Sequence, residues 1–270
     1  RFAFYRNNLL NAGKYFYKKQ QYHEALRHIE MFIHTEPMSL VTVKDSDALR
    51  TTYSLAVFAA YGDSSNATVL RYLPYTASDT IHQSLLCQIA SKAYMQTGDT
   101  LQAIHSLYDG WQADPNKEYF YLALIHYYTE HGQHLEALKI VDTQLQREPG
   151  NTDLWYIKGK SMKYLKQYDE ALTSFNHALT LHPDDARFLS SMGEIYVIQA
   201  REISESNTAK AGTQTYVRLR QKQRRYYTLA LPLLEKARTL DAANTTLWLN
   251  NLREVYYKLN KGKELKDLEK

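Results

Sequence analysis

Between Asn151 and Asp185 the apolar residues fall on a helical period, then stop, then resume. Trp155, Gly159 and Met162 stand at spacings of four and three, and the pattern breaks near Lys166. Tyr168, Ala171, Phe175 and Ala178 form a second stripe, which Pro183 ends because proline cannot continue a helix. The pattern predicts two antiparallel helices. Gly159 and Ala171 are small where those helices approach, and Trp155 and Phe175 fill the space around them. Neither helix can bury its stripe alone, so copies of the pair must stack.

The same marks recur along the chain. Pro115, Pro149 and Pro183 are 34 residues apart, as are Ala103, Ala137 and Ala171. Upstream, Pro37 and Ala25 lie 78 residues before Pro115 and Ala103, which is two repeats plus ten, and the stretch 38–47 supplies the ten as a longer connection. The repeat at 48–79 is degenerate, with a clear GDSSNA turn and a Pro74 that should end its second helix early. Downstream, Gly193 keeps the period from Gly159, but Ala230 lies 59 residues beyond Ala171 and Trp248 lies 93 beyond Trp155. A 25-residue insertion, 201–225, therefore sits inside the sixth repeat. The repeats read 6–37, 48–79, 84–117, 118–151, 152–185 and 186–244, followed by a polar closing helix at 245–270. β-branched alternating runs are nearly absent, so the chain reads as all-α.

This spacing resembles the tetratricopeptide repeat (TPR) family, with Lys158 where the family usually has Leu and Met162 where it has Tyr. The resemblance implies a right-handed α–α superhelix, one TPR solenoid of about six helix-turn-helix repeats plus a C-terminal capping helix. It implies a non-catalytic scaffold that binds a protein or peptide segment in a concave groove. First-helix positions carry the groove over to Asn7, Leu10, Asn11, Lys14, Tyr17 and Lys18; to Gln88 and Lys92; to Tyr119, Leu122 and His126; to Tyr156, Lys160, Lys163 and Tyr164; and to Arg187. Tyr rings mixed with Lys and Arg suit an extended or helical segment, with some preference for acidic character. Tyr156 and Lys160 are expected to stand clear of the core around Trp155, Ala171 and Phe175. The dicarboxylate clamp of chaperone-binding TPR proteins is not matched: its positions read Gln88, Lys92, Ala123, Asp153 and Ile157, or Leu122, His126, Ile157, Arg187 and Ser191. The block from Tyr226 to Leu259 resembles the C-terminus of bacterial, often exported TPR proteins, which favours a periplasmic over a cytoplasmic location and leaves both open.

Composition narrows the chemistry. At 44% hydrophobic, 270 residues can bury a substantial core. The single cysteine, Cys87, excludes an intramolecular disulfide framework and a Cys-rich zinc site. No run of eighteen apolar residues occurs, so no membrane-spanning segment is predicted. The chain begins without Met or an apolar signal segment, which leaves export open. HEALRH (23–28) is one residue too long for the zinc motif H-E-x-x-H, since Arg27 stands where the second ligand must be. HGQH (131–134) reads as an exposed turn pair, and Cys87, on the repeat position of Trp155 and Trp248, as a core thiol. With no phosphate loop and no nucleophile elbow, no cofactor, metal or catalytic residue is expected.

Charge changes the picture at one place. The net +4 is mild, yet 201–225 holds seven Lys or Arg against two Glu. On a helix, Tyr216, Leu219, Tyr226, Ala230, Leu233 and Ala237 share one face, Arg218, Lys222 and Arg225 lie opposite, and Arg220 and Arg224 flank the stripe. This predicts a lengthened second helix, bent near Pro232, packed on a first helix that runs past Tyr196 through Ile198 and Ile203. The basic back is either a solvated extension of the hairpin or a docking patch for an acidic protein, nucleic acid or anionic lipid. Binding of a polyanion or glycan, through this insertion or the aromatic groove, is the alternative function; nucleic acid is not expected at so mild a charge.

Overall fold

The computed structural model describes residues 2–35 and 46–268. The connection expected at 38–47 lies outside them except for Ser46 and Asp47, which open a helix. The described residues form fourteen α-helices and a one-turn 3-10 helix, with no strand among them. They group into two compact units, one ending at Leu124 and the other beginning at Ile125.

The first unit contains α1 (Phe2–Lys18), α2 (Tyr22–His34), α3 (Ser46–Gly62), α4 (Asn66–Tyr72), α5 (Gln83–Thr97), α6 (Thr100–Ala113) and the start of α7 (Glu118–Glu130). Pro74 acts as the pattern predicts: α4 stops at Tyr72 and a 3-10 turn covers Leu73–Thr76. Ala25, Ile29, Phe32, Ala56, Ala60, Val69, Ile89 and Ala93 form the core. The second unit continues with α8 (His134–Leu145), α9 (Thr152–Tyr164), α10 (Tyr168–Leu181), α11 (Ala186–Ser206), α12 (Gln214–Leu240), α13 (Thr245–Lys258) and α14 (Gly262–Leu268). Its buried clusters centre on Ala171, Phe175, Ala178, Phe188 and Ile195, and on Tyr227, Ala230, Leu234, Trp248 and Leu252.

One turn closes hairpin after hairpin. A residue with φ between 57° and 85° occurs at Gln20, Ser64, Gly98, Gly132, Lys166 and Asn260. The amide of the next residue then donates to the carbonyl five positions back, as from Asp99 to Tyr94, Gln133 to Tyr128 and Gln167 to Met162. That is the left-handed helix ending in which orphan carbonyls are satisfied. From Ser64 to Lys166 these residues repeat every 34, yet only Gly98 and Gly132 are glycines; Ser64 lies in the GDSSNA turn and Lys166 at the break in the apolar pattern. Position 200, next in the series, is helical and buried as Ala200; the insertion moves the turn to 207–213.

Small residues sit where helices nearly touch. A Cβ on residue 159 would lie 2.5 Å from the Phe175 ring, and one on residue 193 would lie 2.7 Å from Leu234. Ala137 and Ala171 are fully buried. Trp155, by contrast, is only half-buried: its Nε1 donates to the Pro149 carbonyl at 2.8 Å and its ring lies against His177. Trp248 repeats that bond to the Asp241 carbonyl, so both indoles tie a first helix to the turn before it.

The buried stripe of α12 is rotated by one residue from the predicted face. Gln223, Tyr227, Ala230, Leu234 and Ala237 are buried, whereas Tyr226 and Leu233 are half-buried. Tyr226 does meet α11, stacking on Tyr196 at 6.2 Å. Gln223 was not expected inside. It is tolerated because its Nε2 donates to the Ala200 carbonyl and its Oε1 accepts from Arg220.

Candidate functional site

In the first unit, α3, α5 and α7 bring two tyrosines to one lysine. Lys92 Nζ donates to the Tyr61 hydroxyl at 3.2 Å and lies 5.8 and 5.6 Å from the ring centres of Tyr61 and Tyr119. The Tyr119 hydroxyl shares a 3.0 Å hydrogen bond with Ser91, a residue buried on α5. Leu122 is exposed on α7. Tyr61 was missed because its repeat is degenerate; it stands 44 residues beyond Tyr17, one repeat plus the ten-residue insertion, which was the available signal. Asn7, Lys14 and Lys18 are exposed on α1, and Tyr17 is half-buried with its ring against Tyr22. Burial and then Tyr22 push the Tyr17 hydroxyl above its ordinary value. No hydrogen bond or ring contact among the described residues joins these α1 residues to the Lys92 cluster.

In the second unit, α9 and α11 bring Tyr156, Lys160, Lys163 and Arg187 together. Lys160 Nζ and Arg187 Cζ lie 5.5 and 5.4 Å from the Tyr156 ring centre. The cations are not equally free. Arg187 donates to Asp185 from Nε and Nη2 and to Asp153 from Nη1 at 2.9 Å. These bonds, Asp185 first, outweigh burial and hold the guanidinium charged. Lys163 pairs with Glu194 at 2.7 Å and is only 9% exposed. His126, exposed on α7, faces Glu130 at 3.4 Å. Lys160 alone of the four has no carboxylate partner among the described residues. The acidic preference inferred from counting cations is thus largely cancelled at this face.

Tyr156 also corrects an expectation. Its ring lies 5.9 Å from Phe175 and 5.7 Å from Phe188, so it packs against the core it was expected to stand clear of. Removing it takes away packing as well as any binding contact.

On α12, Arg218, Arg220, Lys222, Arg224 and Arg225 are all exposed. Arg220 Nη1 donates to Gln223 at 3.2 Å, and Lys222 Nζ lies 6.0 Å from the Tyr226 ring. None of the five has a carboxylate partner among the described residues.

The remaining reactive groups are accounted for structurally. Ser54 Oγ and His82 Nδ1 both bond to the same oxygen of the buried Asp79, at 2.5 and 2.8 Å, and the His82 amide donates to its other oxygen. Ser54 and His82 thus both bond to Asp79, and the group anchors the start of α5. Cys87 is half-buried, and burial, then Asp109, push its thiol up to about 11, which leaves it protonated and a poor nucleophile. His131 is exposed, but His134 stacks on Tyr164 at 4.7 Å, and burial holds its ring below the ordinary histidine value. The two residues of HGQH therefore do not form the exposed pair expected. No group of His, Cys, Asp and Glu among the described residues could hold a metal ion, and no described helix is long and apolar enough to cross a membrane.

Comparison with known proteins agrees with this architecture. The family of anaphase-promoting complex, cyclosome, subunit 3 matches residues 107–178. The C-terminal part of a TPR repeat-containing protein from Cytophaga hutchinsonii is similar in structure, with a TM-score of 0.58 at 17% identity over 96% of this chain and 91% of that one. The MamA protein gives 0.48 at 16% identity over 66% of this chain and 92% of its own. In sequence, the chain is 33% identical over 90 residues to mouse protein O-mannosyl-transferase TMTC1, a stretch that makes up 32% of this chain and 9% of that protein.

Proposed function

We propose that this chain, which has the tetratricopeptide-repeat fold, is a non-catalytic scaffold that holds a segment of a partner protein against the Tyr and Lys residues of its first helices. One observation carries the reading. Lys92 and Lys160, 68 residues apart, each rest on tyrosine rings without a carboxylate partner among the described residues. A lysine ordered by a ring at a cost already met within the fold contributes about 0.5–1 kcal/mol per contact and leaves its ammonium for a ligand carbonyl or carboxylate. Half-buried tyrosines beside it supply rigid apolar area, the composition of protein-binding surfaces.

Photo-crosslinking tests this. Benzoylphenylalanine at Leu122 or Tyr164, on first helices, should trap a polypeptide from native-cell extract. At Leu101 or Leu135, exposed on second helices, it should not. Lys92→Glu and Lys160→Glu should then each weaken binding of the trapped protein at least tenfold. Equal trapping at all four sites would refute the first-helix face. Binding that collapses steeply with added salt would favour the polyanion alternative.

A further inference from the structure

The basic insertion does more than expose charge. Tyr216, Val217, Arg220, Arg224 and Tyr227 of α12, with Lys258 of α13, line a cavity of 420 Å³. Three cations converge there, and no carboxylate lines it. Glu254, one turn before Lys258 on α13, is already committed: it accepts from Arg201 at 2.5 Å and from the Tyr227 hydroxyl at 2.8 Å. Arg224 makes no ion pair among the described residues, and Lys258 feels Glu254 only at longer range. Arg220 is held in place, because the amide that accepts from it belongs to Gln223, 4% exposed and itself tied to the Ala200 carbonyl. A guanidinium ordered through a buried amide is preorganised for an anion and loses little freedom on binding one.

From this cavity we infer a second binding site, on α12 and α13, for an acidic segment of a partner polypeptide: a Glu or Asp carboxylate between Arg220, Arg224 and Lys258, with a neighbouring apolar side chain on Tyr216 and Val217. The size and walls decide the class. The space admits one side chain and its neighbour, and three of its eight lining residues are aromatic or aliphatic, which a bare phosphate would leave unused. A nucleic-acid backbone is held through many spaced contacts, on the order of six to ten phosphates, whereas three cations in one cavity meet one or two charges. The site shares no residue with the Lys92 and Lys160 clusters, so either can fail alone.

The test uses a fluorescein-labelled short peptide that alternates Glu with Leu and Phe, followed by anisotropy on the whole chain. A second peptide carries Gln for every Glu, and tripolyphosphate and polyuridylate serve as competitors. The acidic peptide should bind and the Gln peptide should not. Arg220→Gln with Arg224→Gln should weaken binding at least tenfold, while Arg218→Gln, on the same helix but outside the cavity, should leave it unchanged. Lys258→Gln gives an independent loss from α13 if the double variant melts early. No binding of the acidic peptide would overturn the inference. So would equal losses from Arg218→Gln, which would indicate a diffuse field, or stronger binding of tripolyphosphate or polyuridylate than of the peptide.

Discussion

Ala137 and Ala171 occupy the same place in successive hairpins, and both are fully buried. In the second of these the facing position is Gly159, whose missing Cβ leaves room for the Phe175 ring. Protein interiors have little slack, so three extra carbons at such a contact force backbone shifts or off-rotamer side chains. Ala137→Leu and Ala171→Leu should each cost roughly 1–3 kcal/mol, read as a lower midpoint in urea. Unchanged midpoints would mean that these alanines do not mark the helix contacts. Lys160→Ala offers the contrast, since its side chain rests on the outer side of Tyr156 and should leave the midpoint close to wild type.

At the scale of elements, α11 and α12 are the departure from the repeat. Helix replaces the turn that the 34-residue series alone would put at position 200: Val197 and Ala200 are buried and Gln223 bonds to the Ala200 carbonyl, so pairing continues past the point where other hairpins close. The lengthened pair also holds α13: Arg201 and Tyr227 both grip Glu254, and Tyr256 donates to Glu235. The inserted segment is therefore part spare and part brace. Replacing 205–218 with a short turn should leave the melting temperature near wild type. Replacing all of 201–225 removes Arg201 and Gln223 and should expose α13 to hydrogen exchange, with the first unit unaffected. Equal protection of α13 in both deletions would show that the brace contributes nothing.

At the scale of the molecule, stability rests on carboxylates in both units. Burial opposes ionisation of Asp79, yet the bonds from Ser54 and His82 outweigh it and hold its carboxyl below the ordinary value. Burial likewise opposes ionisation of Asp185 and Glu254, and Arg187 in one case and Arg201 with Tyr227 in the other reverse it. A carboxyl depressed in the native state stays charged where the unfolded chain's would protonate. Its contribution is complete above the ordinary range, about 3.9 for Asp and 4.3 for Glu, and is lost as pH falls through the native value. The guanidinium midpoint should thus fall below about pH 4 from these carboxylates, with a separate decline beginning below about 6.5 from His134, whose buried ring resists protonation in the native state. Asp79→Asn should shrink that fall; a profile unchanged by the substitution would show that Asp79 is not linked to folding.

The sequence by itself determined the hairpin, its 34-residue period, the early stop at Pro74 and the insertion. These follow from the local order of small, large and helix-breaking residues, and repetition reads that order out several times. It also placed Lys92, Tyr119, Tyr156, Lys160 and Arg187 on first helices, because the period transfers from repeat to repeat. Only the tertiary structure decided which of those side chains remain available. Lys163 finds Glu194, Arg187 finds Asp153, and Arg201 finds Glu254 across 31 to 53 residues of sequence. Tyr156 is drawn toward Phe188 of the next hairpin, and the α12 stripe turns by one residue to seat Tyr227 and Leu234. The physical reason is the same in each case. Periodicity fixes the direction in which a side chain leaves its helix, but the charge or ring it meets belongs to a neighbouring helix, and stacking alone chooses that partner.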